Sequence, residues 1–153
     1  MRFALYLLLG LQVAGLSLTY HHLAAEKGPR YRLRVHTADP RDLLRGDYVI
    51  LQPDIATLPE KMATPPAGEV FVRLQEESDE WRIAEVVQTR GSHAGPWVRA
   101  RWDGAQLRYG IEKYFVPEGR GVLPNDDLVL EISLDRADRA QSRQLFVGGE
   151  PWP

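Results

Sequence analysis

Hydrophobic and polar positions divide this chain in two. Phe3 to Tyr20 carries no charged side chain, while every acidic residue lies beyond position 25. As a helix, Phe3 to Tyr20 would rise roughly 27 Å, close to the hydrocarbon thickness of a thin bilayer. Gln12, Ser17 and Thr19 are polar but uncharged, and Tyr6 and Tyr20 fall where interfacial aromatics belong. Residues 1–25 therefore read as an uncleaved signal anchor. A cleaved signal peptide is the competing reading, but cutting after Ala24 or Ala25 leaves His22 or Leu23 where a small residue is needed.

From residue 26 onward the apolar period is two, the signature of β-strands. Tyr31, Leu33 and Val35 alternate with Arg30, Arg32, Arg34 and His36. Tyr48 to Leu51 is a continuous apolar run, predicting a strand buried on both faces. Val70, Val72 and Leu74 alternate with Phe71 and Arg73, and Trp81, Ile83 and Val87 share one parity of the next strand. Glu76 to Glu80 reads as an acidic hairpin loop between them. Trp97 to Trp102 leads into the Asp103-Gly104 turn signal, with a partner strand through Leu107 and Tyr109. Tyr114 to Val116 reads as a buried strand end. Leu128, Leu130, Ile132 and Leu134 line one face of a late strand, and Arg143 to Val147 returns beside it. One helical turn is predicted at Asp42 to Leu44, and a flexible loop at Met62 to Gly68. The expectation is a mainly β domain of eight or nine strands over residues 26–153, a compact barrel or sandwich, preceded by one N-terminal transmembrane helix.

Composition narrows the chemistry. A hydrophobic fraction of 44% excludes a disordered chain, and the absence of cysteine excludes disulfides and thiolate metal sites. Residues 26–153 hold 18 basic against 21 acidic side chains, which gives no electrostatic case for nucleic acid. The four histidines, His21, His22, His36 and His93, show no metal-ligand spacing, so no metal or cofactor is expected. Ser92 beside His93 is not a dyad by adjacency, since geometry decides. The basic row Arg30, Arg32, Arg34 and His36 reads first as a solvated strand face, with lipid headgroups or a partner as the alternative.

The most distinctive stretch is Asp39-Pro-Arg-Asp-Leu-Leu-Arg-Gly-Asp-Tyr-Val-Ile-Leu51. Asp39-Pro40 opens a turn, Gly46 permits a tight bend, and Asp47 is placed to cap backbone amides or to pair with Arg41 or Arg45. A rigid Asp-Arg-braced loop and a binding loop both fit. The second stretch is Tyr109-Gly-Ile-Glu-Lys-Tyr-Phe-Val-Pro-Glu-Gly-Arg-Gly121. Its Glu112 and Glu118 form either an acid/base pair or salt bridges to Lys113 and Arg120.

These two blocks, in this order, resemble the GDYXXLXY family of bacterial proteins. Gly46, Asp47, Tyr48 and Leu51 match the named motif, while Pro53 stands where the pattern has its final tyrosine. The resemblance implies one N-terminal membrane span followed by an extracytoplasmic domain, and an integral membrane protein as partner. Charge counting alone points the other way, because Lys27, Arg30, Arg32 and Arg34 outnumber Arg2 across the span. The segment ending at Leu51 also resembles a strand of signal-peptidase-like β-folds, whose serine-lysine dyad has no counterpart here.

The expected protein is thus a single-pass component of the inner (cytoplasmic) membrane, seated in the lipid bilayer. Its expected role is non-enzymatic, accessory or scaffold, beside an integral membrane partner. An envelope ligand-binding module and a small hydrolase are the alternatives. Asp39, Arg41, Asp47, Tyr48, Glu112, Glu118 and Arg120 are the candidate binding residues. The loops Asp39 to Tyr48 and Pro117 to Gly121 are expected to meet at one end of the domain, joined by a carboxylate-guanidinium pair.

Overall fold

The structure is a computed structural model that describes residues 12–13, 29–38, 48–78, 80–116 and 127–152. Of the expected anchor it describes Gln12 and Val13, both helical. Among the described residues, no helix is long and apolar enough to cross a membrane. The turn expected at Asp42 to Leu44 lies outside the described residues.

The described strands are β1 (Arg30–Thr37), β2 (Tyr48–Pro53), β3 (Gly68–Glu77), β4 (Glu80–Val87), β5 (Trp97–Trp102), β6 (Leu107–Arg108), β7 (Lys113–Phe115), β8 (Leu128–Leu134), β9 (Ala140–Val147) and β10 (Glu150–Pro151). A short 3-10 helix, Asp54–Ala56, follows β2 directly. The mainly β class stands, with ten described strands where eight or nine were expected. They form two antiparallel sheets, one ordered β10-β9-β8-β1-β2-β7 and the other β4-β3-β5-β6.

The sheets share one core. Leu33 and Val35 of β1, Val49 and Leu51 of β2, and Leu128, Leu130 and Ile132 of β8 meet Val70, Val72 and Leu74 of β3 and Val98, Ala100 and Trp102 of β5. Period-two alternation is what allows this: each strand sends every second side chain to the shared interior, where burial removes apolar surface from water. Tyr109 contributes more than area. Its ring is buried and its hydroxyl donates to the Ile55 carbonyl at 2.8 Å, tying the segment after β6 to the 3-10 helix. Burial, reinforced by the nearby Glu112 carboxylate, pushes that phenol well above its ordinary pKa.

Several details differ from the sequence pattern, each for a physical reason. The apolar run of β2 is buried on one face only: Val49 and Leu51 point inward, Ile50 is half-buried and Tyr48 is exposed. In β4 a bulge between the Leu74–Ile83 and Arg73–Glu85 pairs changes the parity. Trp81, Ile83 and Val86 therefore pack on the core, while Val87 lies opposite Phe71. The acidic hairpin loop is shorter than expected, because Glu76 and Glu77 extend β3 and Glu77 pairs with Glu80. Leu107 and Arg108 pair with β5 as expected, and Tyr109 follows the strand. Tyr114 to Val116 is not a buried strand end: Val116 is buried, but Phe115 is 74% exposed. β9 begins at Ala140 rather than Arg143, and a second bulge lies between Glu131 and Ile132 in its pairing with β8.

Replacing Tyr109 with Phe removes one hydroxyl and leaves the Ile55 carbonyl without its donor in the interior. The expected cost is about 1–3 kcal/mol, read as a lower midpoint in chemical denaturation at unchanged slope.

Candidate functional site

The two distinctive sequence blocks become neighbouring strands. β2 carries the end of the first block and β7 belongs to the second. They pair with Tyr48 opposite Phe115, Val49 opposite Tyr114 and Ile50 opposite Lys113. The Leu51 N–H also donates to the Glu112 carbonyl at 2.7 Å, so the pairing continues past the strand end.

Alternation decides what this pair of strands displays. Val49 turns into the core, so Tyr48 points away from it, with Phe115 directly across. Their rings make an edge-on contact, 6.3 Å between centroids at 67°. The Lys113 ammonium lies 5.3 Å from the centre of the Tyr48 ring, a cation–π geometry. Two aromatics and a cation are thus held on the outward face of the β2–β7 pair, Tyr48 from β2 and Lys113 and Phe115 from the three-residue edge strand β7. Tyr48 was a candidate from the sequence; Phe115 and Lys113 were not, although period two relative to buried Val116 assigns Phe115 to the outside.

Tyr48 and Glu112 are the two candidates within the described residues. Asp39, Arg41, Asp47, Glu118 and Arg120 lie outside them, as do the interiors of the two loops expected to meet. The flanks of those loops are adjacent: Tyr48, which ends the first, sits opposite Phe115, just before the second. Glu112 is engaged locally. Its Oε1 accepts the Tyr109 backbone N–H at 2.5 Å, bracing the turn from β6 into β7, where Gly110 takes a φ of +81°. That carboxylate oxygen braces the turn; Glu118, its expected partner in an acid/base pair, lies outside the described residues.

The expected basic row on β1 is present, and its four side chains reach three carboxylates, Arg30 and Arg32 sharing Glu131. Arg30 lies 2.5 Å and Arg32 3.6 Å from the Glu131 carboxylate, Arg34 3.3 Å from Glu80, and His36 2.8 Å from Asp54. Arg34 and Glu80 belong to different sheets, and so do Tyr31 and Trp81, whose rings stack edge-on at 5.1 Å. Beside these contacts a cleft of about 520 Å³ opens between β1, β4 and the 3-10 helix, floored by Leu33, Ile55, Leu58, Trp81 and Ile83.

The Ser92-His93 loop is organised around Glu85. The carboxylate of Glu85 takes the Arg73 Nε at 3.1 Å and sits 3.0 Å from His93 Nδ1, while Trp97 Nε1 donates to the His93 carbonyl. Gly91 packs on Trp97 so closely that an added Cβ would stand 3.3 Å from the indole ring. His93 thus turns to Glu85 and not to Ser92. The hydrogen bonds from Arg73 and then His93 hold the Glu85 carboxyl below the usual range, against a smaller opposing effect of desolvation. Among the described residues, no group of three acidic or imidazole side chains is placed to hold a metal ion.

An antiparallel two-sheet β domain displaying one motif on each of two paired strands is the class that the geometry defines. The family follows from comparison: the family model described as GDYXXLXY protein matches residues 11–144. The chain belongs to the GDYXXLXY family. No curated protein matches it. No solved structure matches it either.

The Glu85 cluster gives a pH test. A depressed folded-state pKa contributes stability above the unfolded value, about 4.3, and that contribution is lost as pH falls through the folded value. Glu85→Gln should therefore lower the thermal midpoint at pH 7, with the difference from wild type fading below about pH 4. NMR titration should place the Glu85 midpoint below that of a free glutamate, and Arg73→Gln should raise it.

Proposed function

We propose that this protein is a non-enzymatic, membrane-anchored accessory subunit whose β domain lies outside the cytoplasm and docks on an integral membrane partner. The observation that carries this reading is the Tyr48–Phe115–Lys113 surface. Exposed tyrosine and phenylalanine side chains are enriched at protein interfaces, where they bury large area. Here they are fixed on paired strands drawn from both distinctive blocks. The uncharged segment Phe3 to Tyr20 supports a single-pass anchor in the inner-membrane bilayer, and the family resemblance is what supports reading residues 26–153 as the extracytoplasmic part.

A second reading, an envelope ligand-binding module, draws on the cleft between β1 and β4, whose volume of about 520 Å³ falls in the range of small-molecule sites. The two readings place the working surface on different strands. Substitutions therefore separate them.

Phe115→Ser and Tyr48→Ser should leave folding nearly unchanged, since both side chains are exposed, while abolishing a cross-link from a photoreactive residue at position 113 to an integral membrane protein in cells. Persistence of that cross-link in both variants would remove the docking surface. A periplasm-specific reporter fused after Pro153 should be active; activity of a cytoplasm-specific reporter there instead would reverse the orientation.

A further inference from the structure

The outward face of the four-stranded sheet holds an arrangement that the accessory reading does not use. Core-facing Val98, Ala100 and Trp102 leave Arg99 and Arg101 on the outer face of β5. The Asp103–Gln106 turn then brings Arg108 of β6 directly opposite Arg101. Arg139, from the turn between β8 and β9, closes the far wall, where the Arg99 N–H donates to the Asp138 carbonyl at 2.7 Å. The result is an open groove of about 610 Å³ with four arginines and one carboxylate, Glu69, among its lining residues.

Like charges directly opposed across an antiparallel pair repel. Sheets ordinarily avoid that pairing or place carboxylates against it. Here Glu69 of β3 lies opposite Arg101 on its other side, and the acids present at this site offset the repulsion only in part. Asp103 gives one oxygen to the N–H groups of Ala105 and Gln106 and the other to Arg108 Nε at 3.1 Å. Asp135 is used in the same way, one oxygen taking the Ala137 and Arg139 N–H groups and the other Arg139 Nε at 2.8 Å. Both carboxyls are held below the ordinary range: for Asp103 chiefly by its two backbone N–H donors, and for Asp135 by Arg139 and Ala137 against an opposing effect of burial.

Each aspartate thus engages one edge of a guanidinium, and no described residue takes the terminal nitrogens of Arg108 or Arg139. Arg99 reaches Glu69 only at 3.4 Å, and its buried Nε has no partner. Arg101 makes no ion pair among the described residues. Gly68 and Gly110 line the same groove, and a Cβ at either would meet no protein atom within 4 Å. That keeps the walls low around the cations.

We propose that this groove, centred on the opposed Arg101 and Arg108 and flanked by Arg99 and Arg139, binds a ligand carrying two or more oxyanion groups, such as a diphosphate. Planar guanidiniums match phosphate and carboxylate oxygens in pairs, and two or more anionic groups are needed to reach cations on β5, β6 and the β8–β9 turn together. Bound anion would also remove the repulsion built into the Arg101–Arg108 pair. The site is independent of the Tyr48–Phe115 surface and of any membrane partner.

The test is calorimetric titration of the full chain in neutral detergent with inorganic pyrophosphate at low ionic strength. Wild type should bind, more weakly as salt rises, and the double variant Arg101→Gln/Arg108→Gln should bind at least tenfold more weakly. Without ligand, that variant's thermal midpoint should equal or exceed wild type, because it loses a repulsive pair; a purely structural role would lower it. Arg136→Gln, an exposed change outside the groove, should leave binding intact. Displacement of pyrophosphate by phosphatidylglycerol micelles assigns the oxyanions to a lipid headgroup, and failure to displace assigns them to a soluble anion. Absence of pyrophosphate binding, equal binding by the double variant, or a lowered midpoint with affinity retained would overturn the proposal.

Discussion

The fold depends on the alternation of β1. This strand runs through the middle of the six-stranded sheet, paired with β8 on one side and β2 on the other. Inward, Leu33 and Val35 are 2% and 1% exposed and sit in the core shared with the second sheet. Outward, Arg30 and Arg32 converge on Glu131 of β8, while Arg34 crosses to Glu80 of β4. A slip of one residue would bury four basic side chains and expose the core set together. That penalty fixes the register, and with it the positions of β2, β7 and the outward aromatics. The ion pairs contribute less: the β1 arginines are at least half exposed, where such pairs are worth about 0–1 kcal/mol.

Much of this was legible because period two is a strong local signal. Residues 30–36, 70–74 and 128–134 announce their buried faces without any knowledge of their partners. The misreadings share one cause, which is that burial depends on neighbours the pattern does not contain. Tyr48 to Leu51 is apolar throughout, yet Tyr48 is exposed and Ile50 only half-buried on its outer face. Val87 has the parity of Trp81, but a bulge intervenes, and a bulge is a property of two strands in register. Phe115 is a strongly apolar residue left 74% exposed, an arrangement that hydrophobicity alone would never suggest.

Candidate chemistry was harder to read for a related reason. For Glu112 the sequence leaves an acid/base pair and salt bridges open, and the structure adds a local task that neither names, since the Tyr109 N–H finds its acceptor there at a tight turn. Short-range backbone demands of this kind claim carboxylates before any long-range partner can. The same holds for one oxygen of Asp103 and of Asp135, each taken by its own turn, while the other oxygen meets Arg108 or Arg139. The arginine groove draws on positions from 99 to 139, so no single window of sequence contains it. One part was accessible: a four-residue loop at Asp103 to Gln106 sets Arg101 opposite Arg108 by counting alone.

Charge distribution links these observations. Residues 26–153 carry three more acids than bases, so cations on the domain have ample carboxylates available. On β1 that supply is used fully, and each basic side chain has an acidic partner within 3.6 Å. On β5 and β6, Arg99 and Arg108 have acidic partners at 3.4 and 3.1 Å, and among the described residues Arg101 makes no ion pair. One oxygen of Asp103 is spent on the turn that creates the arginine pair. The hairpin therefore sets the two arginines opposite each other and supplies one carboxylate oxygen to Arg108, leaving Arg101 without an ion pair among the described residues. The two basic strands thus differ at one position: every basic side chain of β1 reaches a carboxylate, while on the β5–β6 face the Arg101 guanidinium is left for negative charge from outside.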